Sequence, residues 1–323
     1  ELGGHSLIAV QVMTRIERET GKRLPLSTLF EYPTVQKLAL LLQTNKKATT
    51  WKSLVPIKPA GSKMPIYLVH GDGLNVLNFS SIANKMDPDQ PVYGFQARGL
   101  DGQDEPLSSI EDMAAFYISE LLEQNPEGPY ALAGYSFGGY VAVEMARILD
   151  TMGKEVRLLG ILDTDSEIVT SQLLDANNLY KRIRRQFPKL LWVIRSFLQD
   201  PAHTITYQKK FYRRKINEFM ESVGLREKSM PDPLLQHLAP IREKLETAYE
   251  EHIIRPFDGH VTLFRAQQRS YFVVDFEFLG WKKYALKGVT VYEVPGSHNT
   301  MFDAPNDQGT ARIIQKALNE SMT

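Results

Sequence analysis

The sequence predicts an α/β protein. A mostly parallel, doubly wound sheet fills the larger part of the chain, is interrupted by an inserted helical lid, and is preceded by a small all-α piece. Three observations carry this reading. From residue 65 onward short apolar runs alternate with helical stretches. The alternation breaks for nearly a hundred residues between Asp163 and His260. Residues 44–63 are polar and rich in Pro, Lys and Thr, which sets residues 1–43 apart from the rest of the chain. Short buried strands divided by helices favour a parallel sheet with helices on both faces.

In chain order, Leu7, Ile8, Val10, Val12, Met13 and Ile16 give one apolar helical face over residues 7–19. Pro33, then Thr34 as a cap, introduce a second helix over residues 35–43. So small a piece makes only a marginal core, as expected of an incomplete bundle. Read as coil, residues 44–63 would span about 22 to 27 Å on average and about 65 to 70 Å when stretched. Strands are expected at residues 65–70, 91–97, 129–134, 156–163, 260–266 and 289–294, with helices near 75–86, 110–124, 137–152 and 306–320. A break as long as 163–260 with helical patterning inside it is most simply a lid over the strand ends.

Length and charge narrow the function. The 323 residues suit one large and one small domain. The 38 basic residues balance the 38 acidic ones, so nothing global points to nucleic acid or an anionic membrane. The absence of cysteine removes disulfides, thiolate metal sites and a thiol nucleophile. No apolar run reaches the length of a membrane span, and no leader pattern is present, so a cytoplasmic location with no metal is expected. The chain does not begin with Met and starts beside a helix, so a fragment of a longer protein is expected.

The stretch ALAGYSFGGYVAVEMARIL sets Gly134, Ser136 and Gly138 as G-x-S-x-G between an apolar strand and an Ala-rich helix. That turn admits only small residues beside the serine and exposes its hydroxyl at the strand's carboxyl end, while N–H groups at the helix start, Phe137 first, face a developing oxyanion. A serine hydroxyl needs a base. His298, in EVPGSHNTMF between the last strand and the last helix, stands where this architecture puts one. His70 reads as shaping the loop after the first strand; His203, His237 and His252 lie in or at the edge of the insert, and His260 begins a strand. For the acid that fixes the imidazole, Asp163 ends the strand after the serine's helix, Asp165 comes two residues later, and Asp275 lies beyond the next strand.

Two stretches resemble known families. LGGHSLIAVQVMTRI with LPLSTLFEYPTVQKLALLL is similar to the second half of a carrier protein of nonribosomal peptide or polyketide synthases. There the serine of G-G-[HD]-S carries a 4′-phosphopantetheine arm, and Ser6 matches it; by residue type alone a serine at a helix start is an N-cap. SLVPIKPAGSKMPIYLVHGDG, PVYGFQARGLDG and PEGPYALAGYSFGGYVAVEMAR, resumed at RPFDGHVTLFRA and VPGSHNTMF, resemble the terminal type I thioesterase domains of those synthases, of α/β-hydrolase fold. The resemblance favours Asp163 as the acid and implies a second oxyanion N–H from Asp72 in the HGDG loop. Together with the linker read at 44–63, it implies a partial carrier at 1–43 and a thioesterase at 64–323; the lid, read from the break in alternation at about 167–255, does not itself match the family. It also implies release of a peptidyl or acyl chain from the arm of Ser6 through an acyl-Ser136, by hydrolysis or macrocyclisation. The expected partners are the chain's own carrier, upstream synthetase modules, a phosphopantetheinyl transferase and the thioester substrate.

Residues 181–215 hold eleven Lys or Arg and one acid, Asp200. This reads as the solvated face of an amphipathic lid, or as a surface that attracts the carrier or the arm's phosphate. Two other functions fit the residues: an esterase or lipase with a helical appendage, and a non-catalytic scaffold.

Overall fold

The computed structural model describes residues 6–22, 24–25, 28–44, 52–100, 104–166, 238–269 and 273–322, with single helical positions at 209, 213, 216 and 220. The N-terminal piece holds α1 (Ser6–Thr20), α2 (Thr28–Glu31) and α3 (Val35–Gln43). The Thr34 hydroxyl accepts the N–H of Lys37 at 3.2 Å and so starts α3. Met13, Leu24 and Leu41 form its small core, against which Leu77 of the larger domain packs.

The larger domain is a seven-stranded sheet: β1 (Leu54–Lys58), β2 (Ile66–Val69), β3 (Val92–Phe95), β4 (Tyr130–Tyr135), β5 (Val156–Leu162), β6 (Val261–Gln268) and β7 (Val289–Ser297). The spatial order is β1-β3-β2-β4-β5-β6-β7, with β1 antiparallel at the edge and every other pairing parallel. Period-two alternation divides the core. Tyr67, Val69, Leu132 and Ile161 face one side, packed by α5 (Ile110–Gln124) and α6 (Gly138–Thr151). Ile66, Leu68, Ala131 and Phe264 face the other, packed by α4 (Phe79–Lys85) and α8 (Asn306–Glu320). Both faces are covered, so the strands read as apolar runs rather than alternating ones.

The doubly wound expectation is borne out, with one correction. Residues 44–63 are not all linker, because Leu54–Lys58 pairs with β3. The signal was weak because an edge strand tolerates Pro56 and a terminal Lys. Residues 44–53 therefore separate α3 from β1, a stretch that can span at most about 35 Å. Of the expected lid, residues 238–255 are described and carry α7 (Ala239–Glu251), which buries Ile241, Leu245 and Ala248. Residues 167–237, apart from those four positions, lie outside the described residues, and so does most of the basic stretch 181–215. Among the described residues no helix is long and apolar enough to cross a membrane.

Candidate active site

At the turn from β4 into α6 two glycine positions have no room for a side chain. A Cβ on Gly138 would stand 2.5 Å from the carbonyl oxygen of His70, and one on Gly134 would collide with the Gly138 backbone. Between them Ser136 adopts φ +52°, a left-handed conformation that a non-glycine residue holds only when its surroundings impose it. The imposing contacts are the Ser136 N–H to the Leu162 carbonyl at 3.1 Å, and the Thr164 hydroxyl to the Ser136 carbonyl at 2.7 Å.

The Ser136 Oγ lies 3.1 Å from Nε2 of His298, and His298 Nδ1 lies 3.0 Å from Oδ2 of Asp163. Asp163 is buried at the end of β5, with φ +54°. Its other oxygen, Oδ1, accepts the Ala266 N–H at 2.9 Å and sits 2.9 Å from an Nη of Arg269. The loop that carries it is pinned from two sides: Trp281 Nε1 donates to the Thr164 carbonyl at 2.7 Å, and the Tyr140 hydroxyl to the Asp165 carbonyl at 2.6 Å.

Of the rival residues, Asp165 lines the same cavity, while Asp275 accepts the N–H groups of Glu277, Phe278 and Gly280 in its own loop. His252 pairs with Glu111 at 3.1 Å, and His260 meets Thr290 at 3.0 Å. His203 and His237 lie outside the described residues.

His70 is fully buried beneath the loop that carries Asp72. Its Nδ1 is 2.7 Å from the Gly71 carbonyl and its Nε2 is 3.0 Å from the Tyr117 hydroxyl. Burial holds its pKa down to about 4, so the ring is neutral and, with Nδ1–H donating to Gly71, its tautomer is fixed. Its ring stacks on Phe137 at 6.2 Å. This joins the two segments expected to supply oxyanion N–H groups.

Ser136, His298, Asp163, Asp72 and Phe137 all border one cavity of about 630 Å³, roofed by Arg242, Leu245, Glu246 and Tyr249 of α7. Burial pushes Tyr249 up to about 12, leaving a neutral phenol in the wall. Among the described residues no group of His, Asp and Glu could hold a metal ion. Ser6 is the first residue of α1, a 15-residue helix with no acidic side chain in its first turn. Free N–H groups and the helix dipole at such an end suit a phosphodiester, so the position fits a phosphopantetheine attachment.

Sequence reading did not single out Arg269 or Tyr135. Arg269 lies just past a strand end on the rim that carries Asp163. Tyr135 fills a variable position of G-x-S-x-G, and its hydroxyl reaches the His298 carbonyl at 2.6 Å.

Comparison with known proteins identifies the family. A thioesterase domain family matches residues 64–318, and a phosphopantetheine attachment site matches residues 1–42. A dimodular nonribosomal peptide synthase of Bacillus subtilis (strain 168) is 40% identical over 163 residues, covering 50% of this chain and 7% of its own length. Indigoidine synthase of Dickeya dadantii (strain 3937) is 29% identical over 322 residues, covering 98% of this chain and 21% of its own length. The chain thus spans about a fifth or less of these two relatives. Among solved structures, the holo form of AB3403, a four-domain nonribosomal peptide synthetase, superposes with a TM-score of 0.62 at 23% identity over 98% of this chain and 24% of its own. The NocB thioesterase domain, in covalent complex with a fluorophosphonate nocardicin G analogue, gives 0.57 at 22% identity over 83% of this chain and all of its own. These likenesses carry the α/β-hydrolase fold. The chain belongs to the thioesterase domain family, with a phosphopantetheine attachment site ahead of that domain.

Proposed function

We propose that this chain is the terminal part of a nonribosomal peptide or hybrid polyketide synthetase. In this reading it releases a peptidyl or acyl chain through an ester on Ser136. The observation that carries the proposal is the continuous line Asp163–His298–Ser136, at 3.0 and 3.1 Å, opening into a cavity of about 630 Å³.

Ser6 would hold the phosphopantetheine group, which supplies the terminal thiol that presents the acyl chain as a thioester. His298 Nε2 takes the Ser136 proton as Oγ attacks the thioester carbonyl. Asp163 fixes the imidazole tautomer through Nδ1 and stabilises the imidazolium. The N–H groups of Phe137 and Asp72 hold the oxyanion. As the tetrahedral species collapses, the C–S bond breaks and the imidazolium returns its proton to the departing sulfur. His298 then deprotonates water, or an amine or hydroxyl of the acyl chain; the second attack displaces Ser136 Oγ, which takes the proton back from the imidazolium, and the acyl chain leaves as a free acid or a ring. Tethering through residues 44–53 replaces a bimolecular encounter with an effective concentration on the order of millimolar. A phosphopantetheinyl transferase, upstream modules and a cytoplasmic setting belong to the same proposal.

The test is to load Ser6 with an acyl-phosphopantetheine by means of a transferase and follow the label by intact mass. The acyl mass should pass to Ser136 and then leave. Ser136→Ala should keep it on residue 6, and Ser6→Ala should never acquire it. Acyl release at the parental rate from loaded Ser136→Ala would end the proposal.

A further inference from the structure

The carboxylate that holds His298 is shared with a cation. One guanidinium nitrogen of Arg269 lies 2.9 Å from Asp163 Oδ1, and the Arg269 side chain is 11% exposed. Oδ1 also accepts the Ala266 N–H, while Oδ2 faces His298 Nδ1. The two oxygens therefore have separate tasks, one anchored to the end of β6 and the other aimed at the imidazole. A guanidinium stays charged throughout the working pH range, so it acts on the site in two ways. It fixes the rotation of the carboxylate, and it offsets part of the negative charge that would otherwise stabilise an imidazolium.

We propose that Arg269 is a positioning residue for the reaction assigned to Ser136, a reading on which this inference rests. Its guanidinium anchors Oδ1 so that Oδ2 meets His298, and its charge moderates the hold of Asp163 on the protonated base. The ionisable groups around His298 are Asp163 from the end of β5, Arg269 from the end of β6 and Ser136 with Tyr135 from the end of β4. Asp72, Asp165, Arg242 and Glu246 border the same cavity. Of these, Arg269 and His298 contact the two oxygens of the acid.

The experiment measures the rate at which a neutral fluorophosphonate labels Ser136 in the whole chain, from about pH 5 to about pH 9, for the parent, Arg269→Lys and Arg269→Gln. With the cation gone, Asp163 holds the imidazolium more tightly. The acid limb of Arg269→Gln should then move up by about one pH unit, and its plateau should fall several-fold. Arg269→Lys should keep the parental limb. Should the glutamine variant not fold, Arg269→Met removes the charge while keeping aliphatic bulk and gives the same readout. A neutral variant whose limb coincides with the parent's overturns this inference alone, leaving the triad in place. A parent chain that is not labelled at any pH overturns the reading of Ser136 and this inference with it.

Discussion

The hydroxyl of Tyr135 donates to the backbone carbonyl of His298 at 2.6 Å, and its ring stacks on the His298 imidazole with centroids 5.0 Å apart. Phe302 meets the same tyrosine ring edge-on at 4.8 Å. The residue before Ser136 thus holds His298 by main chain and side chain together. Tyr135→Phe removes the hydrogen bond and keeps the stack, a loss of about 1 kcal/mol, so fluorophosphonate labelling of Ser136 should slow by roughly five-fold. Tyr135→Leu removes both contacts and should slow labelling further, with melting curves checking that each variant is folded.

Asp163 and Asp275 both lie beyond strands on one rim, yet their surroundings separate them. Asp163 Oδ2 faces His298, whereas Asp275 is occupied by three backbone N–H groups of its own loop. Asp163→Asn should lower kcat by about three to four orders of magnitude, because the amide favours the wrong imidazole tautomer. Asp275→Asn should lower Tm while leaving kcat per folded molecule near the parent value. The reverse pattern, measured on a small acyl thioester, would exchange their roles.

Glu120 of α5 accepts the N–H of Leu54 at 2.6 Å and that of Ser53 at 3.3 Å, tying the edge strand β1 to the helix layer. Burial raises its pKa, and these two backbone donors oppose that rise. Glu120→Ala strands both N–H groups at the point where the chain enters the sheet. A loss of about 1 to 3 kcal/mol in urea unfolding is expected. An unchanged midpoint would show that the attachment of β1 does not depend on this carboxylate.

The same strand marks where sequence reading stops. Central strands such as β4 and β5 are buried on both faces, so continuous apolar runs announced them. β1 lies at an edge, ends on Lys58 and contains Pro56, and its Leu54, Val55 and Ile57 are embedded in a polar stretch rich in Lys, Thr and Pro. Ser136 and His298 were legible because a tight strand-to-helix turn and a strand-end histidine are local patterns. Residue patterns alone left Asp163, Asp165 and Asp275 open and the family resemblance favoured Asp163; in the structure the φ +54° bend brings that carboxylate to His298. The Arg269–Asp163 ion pair depends on the register of β6 beside β5, a through-space relation that no spacing along the chain encodes.

His70 links the site to stability. Folded, its pKa is about 4, lowered by burial, against 6.5 for an exposed imidazole. The unfolded chain therefore binds a proton that the folded chain refuses, and the difference opens as pH falls through 6.5 and closes near 4. His70 accordingly leaves stability intact above about pH 6.5 and erodes it below. Between pH 7.5 and pH 5.0 this residue should cost about 2 kcal/mol of unfolding free energy. His70→Asn removes the titrating ring, so its urea stability should decline less over that interval, by about the same amount. Protonation of His70 also places a charge on a fully buried ring beneath the loop that carries Asp72, so labelling of Ser136 should fall together with stability near pH 4. Equal pH slopes for parent and His70→Asn would mean that another group carries the acid sensitivity of the fold.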